Sequence, residues 1–252
     1  MDSVGKGVHI GGTALRAVLQ ESFPKHGPEA HATICLFSLV IIMCMQVIDL
    51  THRFDAAMPV YPGDPHSTLR QIADIKSSGF TDHELHTAMH VGTHIDAPLH
   101  MIPGGKYLSE IAIEKFIGRG HLIDARKCTK EIPVELLDSR TIEKDDILLV
   151  MTGFSKRYTE KDYYESYPEL SSAFAEKAAE LGIKMIGMDI PSPDRPPFPV
   201  HKILLKKEIL IMENLTNLEA LVSVERFTVF ALPIKLLADA APARVIAIVT
   251  EL

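Results

Sequence analysis

The stretch "LHTAMHVGTHIDAPLHMIPGG", Leu85 to Gly105, sets four metal-capable side chains at offsets 0, 4, 6 and 10: His90, His94, Asp96 and His100. No straight element can gather them. In an extended strand the step from His90 to His94 covers about 13 Å, too far for both to share one ion. A helix would put those two histidines on one face but turn Asp96 away, and Gly92 and Pro98 oppose a helix in any case. The three side chains converge only if a strand turns sharply at Gly92-Thr93, where glycine allows backbone conformations that strain other residues. The chain has to bend around something.

Five of the 12 histidines fall between His83 and His100, with Asp96 among them. A lone histidine is usually structural, and His83 and His86 are read that way. The group His90, His94 and Asp96 is read as a site. Neutral imidazole with carboxylate suits zinc, manganese or iron. A net charge of −7 argues against a nucleic-acid partner, which calls for a basic surface, and leaves room for divalent cations. Cys35, Cys44 and Cys128 form neither a metal-binding spacing nor a disulfide framework, which points to a reducing, cytoplasmic setting.

Beyond Met45 the pattern is mostly strands separated by turns. "QVIDL", "ELHTAMHV", "HLIDA", "DILLVMTG", "IKMIGMDI", "FTVFALPIK" and "ARVIAIVTE" read as strands, the second with His86, Ala88 and His90 on one face. Ser171 is a helix N-cap ahead of "SAFAEKAAELG", which Gly182 ends. "VHKILLKKE" reads as a short helix after the Pro-dense loop "PSPDRPPFP". No linker or repeat divides residues 46–252, so one mixed α/β domain weighted towards β is expected. Residues 1–45 read as an N-terminal extension outside that domain. Its apolar run, Ala32 to Met45, is shorter than the ~20 residues a bilayer span needs. A buried strand or loose extension is the simpler reading there, with an export or membrane segment, or a start at Met43 or Met45, as alternatives.

"HVGTHIDAPLH" resembles the signature of the cyclase family of metal-dependent hydrolases, which includes bacterial kynurenine formamidases and isatin hydrolases. "IDLTH", "MPVYPGDP", "LLVMTGF" and "IGMDIPSPD" resemble further segments of that family, and "HKILLKKEILIMENL" matches its second pair of ligands. Together these cover about Val47 to Leu252. The resemblance implies a swivelling β/β/α fold and a homodimer or homotetramer. It implies metal ligation by His90, His94 and Asp96, completed by His201 and Glu213, with one or two ions and Asp96 able to bridge. Zinc is the first expectation and manganese the second. A carboxylate such as Glu213 among apolar neighbours is costly to bury unless it is paired or ligates a cation.

In the family the position of His100 is that of the general acid/base. The implied reaction is hydrolysis of a small-molecule amide C–N bond by water activated on the metal. N-formylkynurenine, giving kynurenine and formate, is the leading substrate, and ring opening of a cyclic amide such as isatin the alternative. Tyr61 and Phe198 are expected pocket walls, and Asp189 a partner of a ligand. Two other readings compete. His94, Asp96 and His201 imitate the two-histidine, one-carboxylate triad of non-haem iron oxygenases, but that leaves His90 and Glu213 unexplained. A non-catalytic metal-binding homologue would need a missing essential residue, and every such position is filled.

Overall fold

The apolar runs that read as buried strands lie side by side in the computed structural model, which describes residues 45–138 and 141–250. The elements run β1 (Met45–Asp49), β2 (Thr68–Ala73), α1 (Ile75–Ser78), β3 (Asp82–His86), β4 (His94–Asp96), β5 (Ile117–Asp124), β6 (Glu131–Ile132), β7 (Ile147–Met151) and β8 (Glu169–Leu170). They continue α2 (Ser172–Leu181), β9 (Met185–Met188), α3 (Pro199–Lys206), β10 (Leu210–Glu213), β11 (Phe227–Pro233) and β12 (Ala240–Thr250). The extension and its apolar run lie outside the described residues except for Met45, which opens β1 one residue ahead of the expected boundary. No helix among the described residues is long and apolar enough to cross a membrane.

Eight strands form one sheet in the order β1-β12-β11-β5-β7-β9-β10-β4. Pairing of β12 with β4 closes it into a barrel and leaves β1 as an added strand on β12. The stretch β5-β7-β9-β10 is parallel. Parallel strands are covered on both faces and read as unbroken apolar runs. "ILLVM" and "MIGM" obey this, with every residue buried. One face looks into the barrel, where Ile147, Leu149, Met185, Met212, Val229 and Val245 pack together. The other face carries α2 and α3, through Phe174, Ala178, Leu204 and Leu205 against Leu148, Val150 and Ile186. The mixed, β-weighted domain expected from the sequence is what forms.

Helix α2 has the expected ends. The Ser171 hydroxyl accepts from the Phe174 N–H, and Gly182 terminates it. Such a cap is worth about 1 kcal/mol, and full burial of Phe174 about 1.5–3 kcal/mol. Packing, not capping, therefore seats the helix. The strand expected over "ELHTAMHV" is shorter than its alternation suggests. β3 pairs only with β2, from Thr68↔His86 to Ala73↔Asp82, and ends when that partner does. His90 thus reaches its place through a bend and not along a strand face.

Glycine is required at that bend. Gly92 sits at φ +66° with Met58 and Tyr158 against it. Another residue there would carry the roughly 1–2 kcal/mol cost of the left-handed region as well as the crowding. From the bend the chain enters β4, which lies between β10 and β12. Glu213 pairs with His94, Ile211 and Ala240 with Asp96, and Pro242 with His94. Period-two alternation then sends His94, Asp96 and Glu213 to one face while Ile95 and Met212 enter the barrel interior. Beyond β4 the turn Pro98–His100 folds against Gly105, where a Cβ would come within 2.6 Å of the Pro98 backbone. Only glycine lets that turn close, and the turn carries His100.

Candidate metal centre

All five expected ligands meet on the outer face of β4, although they come from three separate segments. His94 Nε2 is 3.3 Å from Asp96 Oδ1 and 3.3 Å from Glu213 Oε2. His201, near the start of α3, points Nε2 to within 3.4 Å of Glu213 Oε1 and 3.9 Å of Asp96 Oδ2. His90 approaches from the bend with Nδ1 2.8 Å from Asp96 Oδ1. Asp96 is central, touched by three imidazoles.

The directions are as informative as the distances. His94 Nε2 and both Asp96 oxygens are buried with no aligned hydrogen-bond partner. Buried polar atoms are almost always paired, and removing one partner costs about 1–3 kcal/mol. Donors 3.3 Å apart that fail to point at each other are converging on a common point. A cation held among them satisfies these atoms, and the groups close enough to share one are His90, His94 and Asp96, and Asp96, His100 and His201, with Asp96 common to both. The donor set of imidazole nitrogens and carboxylate oxygens suits a divalent ion such as zinc or manganese.

The outer contacts orient these ligands. His94 Nδ1 donates to the Gly92 carbonyl at 2.8 Å, which turns Nε2 inward. The same carbonyl accepts from Asn214 Nδ2, whose Oδ1 in turn accepts from the Tyr163 hydroxyl. Asp194 Oδ1 is 2.5 Å from His201 Nδ1 while its Oδ2 accepts the Val200 N–H, so one carboxylate caps α3 and aims His201. Asp189, expected to be a partner of a ligand, is not one. Its two oxygens accept from Thr152 and Gly153 and tie the end of β7 to β9. Asp194 fills the role expected of Asp189. Asp239 carries no signal in the sequence, yet its Oδ2 lies 2.9 Å from His90 Nε2 and 3.3 Å from His100 Nδ1.

Charge is balanced tightly here. Burial disfavours charged His90, yet Asp96 and then Asp239 overcome it and raise its pKa to about 9. Burial likewise opposes charge on His201, and Asp194 and Glu213 lift it to about 10. Burial and Asp96 both press Glu213 upward, but the nearby His201 and His94 imidazoles, at 3.4 and 3.3 Å, hold it below the usual carboxylate range. Asp96 is held well below that range by His90 and His94 against its own burial. Protons on the histidines thus stand in for a cation.

A pH dependence follows for chelator-treated protein. Raised histidine pKa values contribute stability that is full below the ordinary histidine value of 6.5 and lost as pH climbs through about 9 and about 10. The lowered carboxylates contribute stability above their ordinary values and lose it as pH falls through the folded ones. The melting temperature in EDTA is therefore expected to be lower at about pH 9.5 than at about pH 6, with much less change in protein loaded with zinc. Equal pH dependence with and without metal would rule out this exchange of protons for a cation.

His100 stands beside the five expected ligands, with one nitrogen close enough to Asp96 and His201 to share an ion with them. It is ring-to-ring with His90 at 4.0 Å and with His201 at 5.7 Å, and burial pulls its pKa below the ordinary value. Beside it opens a cavity of about 280 Å³, with His90, His100, His201 and Glu213 on its floor and Tyr61 and Phe198 among its walls. Both expected wall residues are therefore at the cavity. Tyr61 meets Tyr164 edge-on at 5.6 Å, and Phe198 meets His201 likewise. A wider groove of about 430 Å³ along residues 56–66 and 159–165 shares Tyr164 but includes none of the five expected ligands.

The chain is similar to known proteins over most of its length. A family model described as "Putative cyclase" matches residues 48–195. A kynurenine formamidase of Geobacillus thermodenitrificans is 31% identical over 203 residues, covering 78% of this chain and 94% of that protein. Among solved structures, isatin hydrolase A from Labrenzia aggregata, bound to benzyl benzoate, superposes with a TM-score of 0.74 at 25% identity, covering 89% of this chain and all of that one. A potential metal-dependent hydrolase with cyclase activity superposes with a TM-score of 0.69 at 28% identity, covering 83% of this chain and all of the other.

Proposed function

This chain belongs to the cyclase family, and from that premise we propose that it is a metal-dependent hydrolase that cleaves an amide C–N bond. His90, His94, Asp96, His201 and Glu213 would hold one or two divalent ions, with Asp96 able to bridge two. Zinc is the ion we assign first and manganese second. The observation that carries the reading is the buried convergence of His94, Asp96, His201 and Glu213, with His94 Nε2 and both Asp96 oxygens unpaired. A bound divalent ion polarises an amide carbonyl and lowers the pKa of water from 15.7 to about 7.

The chain's own groups divide the remaining work. Asp194 and the Gly92 carbonyl keep His201 and His94 turned inward, so no ligand has to reorient during turnover. Neutral His100 takes a proton from the attacking water at Nε2, the nitrogen turned away from Asp239, and returns it to the departing nitrogen. One water is consumed, the C–N bond breaks, and a carboxylate and an amine leave. Tyr61, Tyr164 and Phe198 favour a flat aromatic amide in the cavity.

For a formanilide such as N-formylkynurenine the products are formate and an aryl amine, which the kinship with a kynurenine formamidase supports. Ring opening of isatin is the second substrate reading, supported by the likeness to an isatin hydrolase. A homodimer or homotetramer is proposed as the assembly. Exposed Leu69, Ile72 and Leu85 on the β2–β3 hairpin support a subunit contact there. The reading is tested by loading purified protein with zinc or manganese and following N-formylkynurenine, isatin and related cyclic amides without oxygen. Release of formate or of a ring-opened acid is expected. No turnover of any of these with either ion would overturn it.

A further inference from the structure

Asp239 lies 139 residues from His100 in the chain, yet one of its oxygens faces both His100 and His90. We propose that Asp239 is a positioning residue: its Oδ2 receives an N–H from His90 Nε2 and another from His100 Nδ1, and so fixes the ring orientation and tautomer of both. The inference rests on the hydrolytic reading of the site and adds to it the group that holds the proton carrier ready.

The hydrogen-bonding chemistry leaves little choice. A carboxylate oxygen is only an acceptor and has room for two donors. If His100 turned a bare Nδ1 towards it, two lone pairs would face each other at 3.3 Å. With the hydrogen on Nδ1, neutral His100 keeps its lone pair on Nε2, where a proton can be taken up. His90 is fixed in the same way. Its Nε2 hydrogen goes to Asp239 at 2.9 Å, so Nδ1, 2.8 Å from Asp96, is the nitrogen that carries a hydrogen towards Asp96 without metal and would give it up to a bound cation. The outer nitrogen of a ligating histidine is commonly engaged by a carboxylate in this manner.

The backbone makes Asp239 a firm support. Its carbonyl accepts the Ala97 N–H at 2.8 Å, and the next residue, Ala240, pairs with Asp96 across β12 and β4. Closure of the barrel therefore places Asp239 on the far side of His90 from Asp96. Its side chain remains 38% exposed, and partly exposed ion pairs add little to fold stability. Loss of Asp239 should consequently register in the chemistry and not in the folding. The competing possibility is that His90, His100 and Asp239 are themselves ligands of an additional cation, since their donor atoms lie close enough together.

The test uses the full chain with Asp239→Ala and Asp239→Asn. Both variants are expected to bind as much metal per chain as the parent, with KM roughly unchanged and kcat lower by about 10–100-fold. The asparagine variant, which keeps an oxygen acceptor, should lose less. Long-range ¹H–¹⁵N spectra of metal-free, ¹⁵N-labelled protein should show neutral His100 protonated at Nδ1 in the parent and shifted towards Nε2 in Asp239→Ala. An unchanged His100 tautomer, or kcat within about twofold of the parent, overturns the proposal. Loss of one metal equivalent overturns it in favour of the cation site. The spectra need no turnover, so a parent protein inactive on every amide would count against the hydrolytic reading and leave the tautomer result standing.

Discussion

Replacing His100 by alanine is expected to lower kcat by about 10²–10⁴-fold, the usual contribution of a general acid–base group, while metal content stays at the parent level. The two halves of this expectation have separate grounds. His100 stands at the end of a turn that Gly105 holds closed, on the floor of the cavity, with Nδ1 towards Asp239. Burial lowers its pKa, so at neutral pH it is uncharged and can accept a proton. Against this, one of its nitrogens lies close enough to Asp96 and His201 to share an ion with them. Ligand and proton carrier are roles the same imidazole cannot fill together at one nitrogen. Metal analysis of His100→Ala beside its kinetics separates them. Lost activity with metal retained supports proton transfer; activity and metal lost together would make His100 a ligand.

Much of this centre is legible in residue types and spacing, and the reason is local. Three of the proposed ligands fall within seven residues, and the glycine between His90 and His94 marks the bend that gathers them. His201 and Glu213 come from the family resemblance, and their neighbourhood follows from register: β10 pairs with β4 so that Glu213 faces His94. Asp239 cannot be found this way. It is a single acid in the mostly apolar run "LLADAAPARV" at the start of a strand, and reaches the site only because β12 closes the barrel on β4. Such closure is a property of the whole sheet and leaves no local mark.

Asp194 is nearer to being legible. A carboxylate seven residues before a suspected ligand, at the approach to a helix, is a reasonable partner for it, but Asp189 at a strand end is as good a candidate on sequence grounds. The structure separates them by hydrogen bonds: Asp194 to His201 and Val200, Asp189 to Thr152 and Gly153. Strand β2 of the hairpin escapes a sequence reading for another reason, whereas the end of β3 is met by the start of "ELHTAMHV". Thr68, Arg70 and Ile72 share one face of β2 and Leu69, Gln71 and Ala73 the other, so the strand lacks the alternation of a half-buried one.

Asp96→Ala is expected to abolish metal binding and reduce hydrolysis to background, and also to destabilise the metal-free protein. Asp96 is the one carboxylate that His90, His94 and His201 all face, at 2.8, 3.3 and 3.9 Å. Its removal takes away the donor shared by both halves of the site. Three imidazoles and Glu213 remain, but the bridge between the β4 ligands and the α3–β10 pair is gone. In the metal-free state two effects compete. Asp96 and Glu213 repel each other, so losing one relieves the other. Asp96 is also the largest attraction acting on protonated His90 and His94, and without it His94 is fully buried beside Glu213 alone. Several histidine contacts outweigh one repulsion between carboxylates, and breaking a buried pair from one side costs about 3–5 kcal/mol. Urea unfolding in EDTA at about pH 6, where these pairs are charged, should show a loss of that order. At about pH 10 His90 has largely given up its proton and His201 is giving up its own, so the same substitution should cost less. A variant as stable as the parent at both pH values, or one that still bound its metal, would mean that Asp96 is not the centre of the charge cluster.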